Sequence, residues 1–349
     1  MLIQKLHKEI FDNYSSSIAT PKLVRVLPNL VIAIFELMKL IPAKYTILKA
    51  LKEGKIDRKY PIIETSSGTY ALGMGIVCAE LEIPFFIVSD PVIDECLRMR
   101  LEDLGGNVQI ISAKSSGLDI QSLRLEYLNQ YLLNNKGAFW PAQYNNPENR
   151  EAYNDFAKYL LDNVGDNFTL VGAVGSGGST CGTIETLRKV NNNIKLVGVD
   201  TFGSVLFGLP NKDRKLRGLG NSIFPQNLIH EYFDQVHWVN EEVAINNVRR
   251  LHASKSLFCG PTTGAAYHVG NWIAKNNTKD MIVVISPDSG YRYMSTAYNN
   301  DWLKMNKINI SNDFPIVKHA TLLSHVQEPW SYFNWNRRTF EDVVGVVNE

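Results

Sequence analysis

Residues 175–180, Gly-Ser-Gly-Gly-Ser-Thr, separate an apolar strand-like run at 168–174 from a helix-like run that begins at Thr183. A glycine-rich turn between strand and helix lets main-chain N–H groups converge on one point. The N-terminus of the following helix adds its partial positive charge there, so such a turn suits a phosphate. The loop by itself admits two phosphate ligands. Gly175-x-Gly177 can open a dinucleotide fold, with Asp200, at the end of the strand-like run 195–200, near the place of a ribose-binding acid. Against that, Thr180 stands where the third glycine would be. Alternatively, Ser176, Ser179 and Thr180 add hydroxyl donors to the amides and form a compact cup for a terminal monophosphate.

Runs rich in Val, Ile and Phe alternate with helical segments, the pattern of mostly parallel sheets flanked by helices, an α/β class. One unit reads clearly. Residues 83–88 form a strand, Asp90 is placed to cap a helix with Pro91 at its first position, and Ile93, Leu97, Leu101 and Leu104 share one helix face. Gly105-Gly106 ends that helix and 108–111 begins the next strand. Residues 30–35, 61–64, 195–200 and 281–285 read as further strands, and 118–134, 148–163, 241–256 and 264–275 as helices. The polar, turn-rich stretch 143–149 suits a crossing between two domains. The expected division is 1–147, with its first ~35 residues packing on the other domain, then 148–310, then an aromatic-rich extension 311–349 carrying Trp330, Tyr332, Phe333 and Trp335.

With 349 residues and 45% hydrophobic content the chain can bury a large core. Its 36 lysines and arginines balance 35 acids, so no basic field draws it to nucleic acid or an anionic membrane. The four cysteines are scattered and the seven histidines form no H-x-x-x-H pair, so no metal site is expected. No run reaches the ~20 apolar residues of a transmembrane helix. The first residues lack a signal-peptide core, and a cytoplasmic protein is expected.

Six motifs occur in order. TSSGTYALGMG at 65–75 resembles the T-S-G-N-T-G substrate loop of cysteine synthases, and Gln143 in PAQYNNPEN resembles that family's Q-x-x-N-P segment. GSGGST matches its G-T-G-G-T cup. Arg217-Gly-Leu-Gly220 with Ile223-Phe-Pro225 is similar to its G-I-G…I-P loop, Gly260-Pro-Thr-Thr-Gly-Ala-Ala266 to G-x-S-S-G-A, and SPDSGYRYMST at 286–296 to its P-S/D-S-G-x-R-Y-x-S-T. Over roughly residues 20–300 the chain therefore resembles the cysteine synthase / cystathionine β-synthase family, the fold-type II enzymes that use pyridoxal 5'-phosphate. The resemblance implies two domains, each with a mostly parallel sheet, a monophosphate cofactor, and a homodimer.

It also implies site residues. The cofactor phosphate falls to Gly175, Ser176, Gly177, Gly178 and Ser179, and the substrate to Thr65, Ser66, Ser67, Gly68, Thr69, Gln143 and Gly218. Lys44 is the candidate for the imine, with Lys39 and Lys49 as alternatives, because the family's N-P-x-x-S-x-K is shortened by one residue and has Pro42 for its serine. Ser289 would face the pyridine nitrogen as a neutral partner, with Asp288 beside it as a helix cap. Thr69 and Tyr70 replace the family's asparagine and threonine, and Arg217 is placed to meet a charged leaving group or nucleophile.

The activity so implied is β-replacement on O-acetylserine or O-phosphoserine through an aminoacrylate, giving cysteine or a related non-protein amino acid. β-Elimination of the dehydratase or desulfhydrase type is the alternative, as is a non-catalytic cofactor-binding paralogue.

Overall fold

The computed structural model describes residues 10–112, 120–216, 218–311 and 315–345. Eleven strands build two sheets. In the smaller, β3 (Ile62–Thr65), β4 (Phe85–Ser89) and β5 (Asn107–Ile110) lie in that order, all parallel. The larger combines β1 (Lys22–Leu27), β2 (Leu30–Ile34), β6 (Phe168–Ala173), β7 (Lys195–Asp200), β8 (Gln235–Val239), β9 (Met281–Ser286), β10 (Lys318–Ala320) and β11 (Trp330–Asn334). Their order is β1-β2-β9-β6-β7-β8-β11-β10. The five central strands run parallel, while β1 is antiparallel to β2 and β11 to β8.

The hydrophobic runs become strands because both faces are covered. β4 is buried at all five positions, as helices on either side of a parallel sheet require. In the large sheet, Phe168, Leu170, Val283 and Ile285 face one core layer with the helices Asn154–Val164 and Gly178–Val190, while Val171, Val197, Ile282 and Val284 face the other with Glu241–Lys255 and Pro261–Asn276. Alternate residues of one strand thus supply two separate cores.

Most expected elements stand within a few residues of their places, with three local differences. The expected helix at 148–163 is split into Glu148–Glu151 and Asn154–Val164. After β4 the helix begins at Glu95, capped by Asp94 accepting from the Leu97 amide at 3.1 Å. Asp90 instead turns inward to a buried ion pair with Arg124 on the helix Ile120–Asn134. Residues 118–119 of the helix expected there, and Arg217, lie outside the described residues.

The N-terminal strands β1 and β2 join the large sheet and not the one that follows them in sequence. The chain then passes to β3–β5 and rejoins the large sheet at β6. The aromatic extension is also built into the large sheet. β11 pairs antiparallel with β8, and Trp330 and Trp335 are buried.

Candidate active site

In parallel sheets the loops beyond the carboxyl ends of the strands form the ligand crevice. Here both sheets point those ends at one cavity of about 560 Å³. The small sheet contributes Ser66–Thr69 after β3 and Asp90 after β4. The large one contributes Met38 and Lys39 after β2, Gly175, Ser176 and Ser179 after β6, and Pro287 and Asp288 after β9.

At the glycine turn, Gly177 adopts φ +79°, and a Cβ there would lie 2.6 Å from the Leu228 Cα. Only glycine fits a left-handed turn pressed against another main chain. The helix Gly178–Val190 starts within the motif itself, earlier than the expected start at Thr183. Its N-terminus therefore meets the cavity at Ser179, beside Gly175 and Ser176. Gly177 and Gly178 shape the turn from behind. Gly218, at φ +78°, lines the cavity beside the turn and brings its carbonyl to 3.4 Å from where a Gly175 Cβ would stand.

Lys44, the expected imine lysine, does not line the cavity. Lys44 points away from the cavity, donating to Asn13 Oδ1, Ser15 Oγ and Ser16 Oγ at 3.2, 2.8 and 2.7 Å. Three acceptors of the N-terminal segment hold it there. Lys39 stands at the head of the helix Leu40–Lys52, lines the cavity, and donates from Nζ to Ser176 Oγ at 3.0 Å. Burial pushes its pKa down to about 8, because a desolvated ammonium is disfavoured. Lys49 lies on the outer side, paired with Glu148 and Glu151. The sequence did carry a signal for Lys39: it interrupts the apolar run Leu37-Met38-Lys39-Leu40-Ile41, where a solvated lysine is out of place.

The expected ring-nitrogen partner also lies elsewhere. Ser289 does not line the cavity; it sits in a bridge with Cys259, its amide donating to the Glu36 carbonyl at 3.2 Å. Asp288 caps no helix with its side chain and accepts from the Tyr293 hydroxyl at 2.7 Å. Thr262 does line the cavity, and its buried Oγ1 has no hydrogen-bond partner among the described residues. A buried hydroxyl left unpaired is costly, so a polar ligand atom is the natural partner. Gly260-Pro261 carried the clue. Proline at the first turn of the helix Pro261–Asn276 holds Thr262 at the cavity end of that helix.

The 65–70 loop forms a strand-to-helix turn. Gly68 caps the helix Thr69–Glu80, the Gly68 amide donates to Ser66 Oγ at 3.2 Å, and Ser66, Ser67, Gly68, Thr69 and Tyr70 all line the cavity. Ser67 Oγ donates to Asp90 Oδ2 at 3.0 Å and accepts from Arg124 Nη1 at 2.8 Å. Thr65 is buried behind the loop, where its carbonyl accepts from Gln143 Nε2 at 3.2 Å. Gln143 lines the cavity too, and its amide donates to Glu64 Oε2 at 3.1 Å. Burial pushes the Glu64 carboxyl up to about 7, while N–H donors from Trp140, Thr65 and Gln143 act in the other direction. Arg292, within the 286–296 motif, crosses from the large-sheet side to donate to the Ser67 carbonyl at 2.9 Å. Asp200 is buried at the end of β7 and does not line the cavity.

A phosphate cup, a desolvated amine, an unpaired hydroxyl and an amide-rich loop thus converge on one cavity, and they fit pyridoxal phosphate with an amino acid. Among the described residues no group of His, Cys, Asp and Glu could hold a metal ion, and no helix is long and apolar enough to cross a membrane.

Comparison with known proteins gives the same answer. Residues 38–288 match the family model described as pyridoxal-phosphate dependent enzyme. The N-(2-amino-2-carboxyethyl)-L-glutamate synthase of Cupriavidus metallidurans is 33% identical over 268 residues, covering 75% of this chain and 79% of its own. The synthase of the same name from Ralstonia nicotianae is 33% identical over 267 residues, covering 75% and 78%. Among solved structures, O-acetylserine sulfhydrylase isoform 3 of Entamoeba histolytica shares the fold with a TM-score of 0.78 at 23% identity, over 89% of this chain and 100% of that one. The chain belongs to the pyridoxal-phosphate-dependent enzyme family.

Proposed function

We propose that this enzyme carries out β-replacement on an activated serine, with the amine of a second amino acid as the nucleophile. Lys39 would hold the cofactor's aldehyde, the 175–179 turn its phosphate, and Thr262 its ring nitrogen. When bound, pyridoxal phosphate supplies an electron sink for the bonds to the substrate's α-carbon. The amides and hydroxyls of Ser66–Thr69, with Gln143, would hold the substrate carboxylate. Lys39 Nζ, displaced by the substrate amine, would take the α-proton. The Cβ–O bond breaks and its electron pair leaves with acetate or phosphate. The incoming nitrogen then forms a bond to Cβ and gives up one proton, and Lys39 returns a proton to Cα.

The observation that carries this reading is the Lys39 amine within hydrogen-bonding distance of Ser176, on a cavity shared with the 66–69 loop. The relatives named N-(2-amino-2-carboxyethyl)-L-glutamate synthase support an amine nucleophile, since the product in their name joins an amino-carboxyethyl group to the nitrogen of glutamate. In the domain division we propose, the unit ending at 147 supplies the lysine and substrate loop and the unit 148–310 the cup. A cytoplasmic homodimer is part of the same reading, and light scattering tests the dimer.

The test of the reaction is product analysis. Protein, cofactor and O-acetylserine or O-phosphoserine should release the leaving group and, with L-glutamate present, give the N-linked diamino acid by mass spectrometry. Pyruvate as the sole product with every amine and with sulfide would replace this reading with β-elimination.

A further inference from the structure

Glu64 stands in β3 directly before the substrate loop, and it is fully buried. A buried carboxylate is costly unless donors surround it, and three do. Its Oε1 accepts from the Thr65 amide at 2.8 Å and from Trp140 Nε1 at 3.0 Å, and its Oε2 from the Gln143 amide at 3.1 Å. All three partners are N–H groups, which suit the ionised form.

These bonds belong to a ring. The Thr65 amide goes to Glu64, the Thr65 carbonyl accepts from Gln143 Nε2 at 3.2 Å, and the Gln143 amide returns to Glu64. From the other side, Asn149 Nδ2 and Asn227 Nδ2 donate to the Gln143 carbonyl at 2.9 and 3.2 Å. Glu64 does not line the cavity, yet it ties the start of the 65–69 loop to Gln143, which does. Few charges face it. The neighbouring strand β4 sets Ile87 beside it. The helix Ile120–Asn134 brings the Arg124 guanidinium, itself paired with Asp90, which favours the carboxylate. The helix Thr69–Glu80 brings the buried Tyr70 hydroxyl. Burial outweighs the donors and Arg124, and pushes the carboxyl up to about 7.

Resting on the reading that Ser66–Thr69 and Gln143 hold the substrate carboxylate, we propose that Glu64 is a positioning residue whose carboxylate fixes the loop and Gln143 in one arrangement, and whose protonation releases Gln143. A protonated carboxyl turns one acceptor into an O–H donor, and that donor has no acceptor among the three N–H groups. Affinity for the amino acid is therefore fullest above about pH 7 and falls as pH drops through that value. Repulsion between the carboxylates of Glu64 and the substrate would give the opposite slope.

The test uses the holoenzyme and L-alanine, which has the α-carboxylate and no leaving group, with binding read from cofactor absorbance. Lys39 and the alanine amine titrate in every variant, so the quantity compared is the ratio of variant to wild-type Kd at each pH. Glu64→Gln keeps the shape but turns an NH2 toward an N–H group. Its Kd should exceed the wild type's by about 10-fold well above pH 7, the worth of one charge-assisted hydrogen bond, and the ratio should approach one as pH falls. Trp140→Phe removes one donor from a retained carboxylate. It should move the midpoint of the pH dependence upward, and it carries the test where Glu64→Gln does not fold. Affinity for pyridoxal phosphate should stay unchanged in both variants, since the 175–179 turn is untouched. A ratio constant with pH, a midpoint unmoved in Trp140→Phe, or a wild-type affinity that improves as pH falls overturns the proposal. So does an equal loss of cofactor affinity, which marks a general structural defect. A cofactor band that responds to neither L-alanine nor O-acetylserine in the wild type overturns the carboxylate reading itself.

Discussion

At Lys39 a single side chain separates this structure from its sequence. Lys44 follows Pro42 in the shortened lysine motif, but a motif cannot tell where a side chain ends. Asn13, Ser15 and Ser16, some thirty residues away in sequence, take its ammonium. Lys39→Ala should abolish borohydride trapping of the cofactor and lower turnover by about 10²–10⁴-fold, the usual worth of a general base. Lys44→Ala should keep both, and trapping lost in Lys44→Ala but retained in Lys39→Ala would reverse the assignment. The lowered pKa gives a second expectation. Attack on an aldehyde needs the free amine, so cofactor uptake by cofactor-free protein should quicken as pH rises through about 8 and then level off. Stopped-flow absorbance measures that, and a pH-independent rate contradicts it. Thr262 was hidden for a related reason. Its motif was legible in the sequence, while the unpaired state of its hydroxyl depends on neighbours from other segments.

Among elements, the strand–turn–helix units were the most legible. Apolar runs and capping chemistry are local, and β6, β7 and β9 stand nearly where those runs place them. The cup shows why local chemistry sufficed there. Gly177 must adopt a left-handed φ with no room for a Cβ beside Leu228 and the Asn227 carbonyl. Gly177→Ala should therefore destabilise the protein by at least about 1–2 kcal/mol from backbone conformation alone, and weaken pyridoxal-phosphate binding as the first helical turn is displaced. Urea unfolding and cofactor titration check this, and wild-type values for both would show that the turn tolerates a side chain. The helix start after β4 was misplaced because Asp90 and Asp94 both have capping chemistry. A buried pair with Arg124, 34 residues on, claims Asp90 and leaves Asp94 to cap.

Across the whole molecule, the aromatic extension ties the far edge of the large sheet through buried histidines. Trp330 Nε1 donates to His237 Nδ1 at 3.1 Å, and the rings of His268 and Trp330 pack edge to face at 4.2 Å. Desolvation pushes His237 down to about 3 and His268 to about 4, from an ordinary 6.5. Between those values the unfolded chain binds protons that the folded one refuses, so this contribution is complete above pH 6.5 and is lost as pH falls. Glu64 and Asp200 act oppositely. Burial pushes both up to about 7, so their contribution is present at low pH and is lost as pH rises. Over about pH 4.5–6.5 the two pairs offset each other. The informative quantity is the difference in unfolding free energy between wild type and His237→Phe, which should shift in the variant's favour by up to about 1.4 kcal/mol per pH unit as pH falls. Chemical denaturation at several pH values measures it, and a pH-independent difference would mean that His237 is protonated in the fold. The sequence by itself determined the α/β class, the glycine turn at 175–180 and the strand-to-helix turn at 65–70, because apolar runs, glycine placement and helix ends are properties of a few adjacent residues. The tertiary structure alone decided which lysine faces the cup, which hydroxyl is left unpaired, and that β1, β2 and the aromatic extension join one sheet. Those outcomes depend on desolvation and competing partners, which exist only once distant segments have come together.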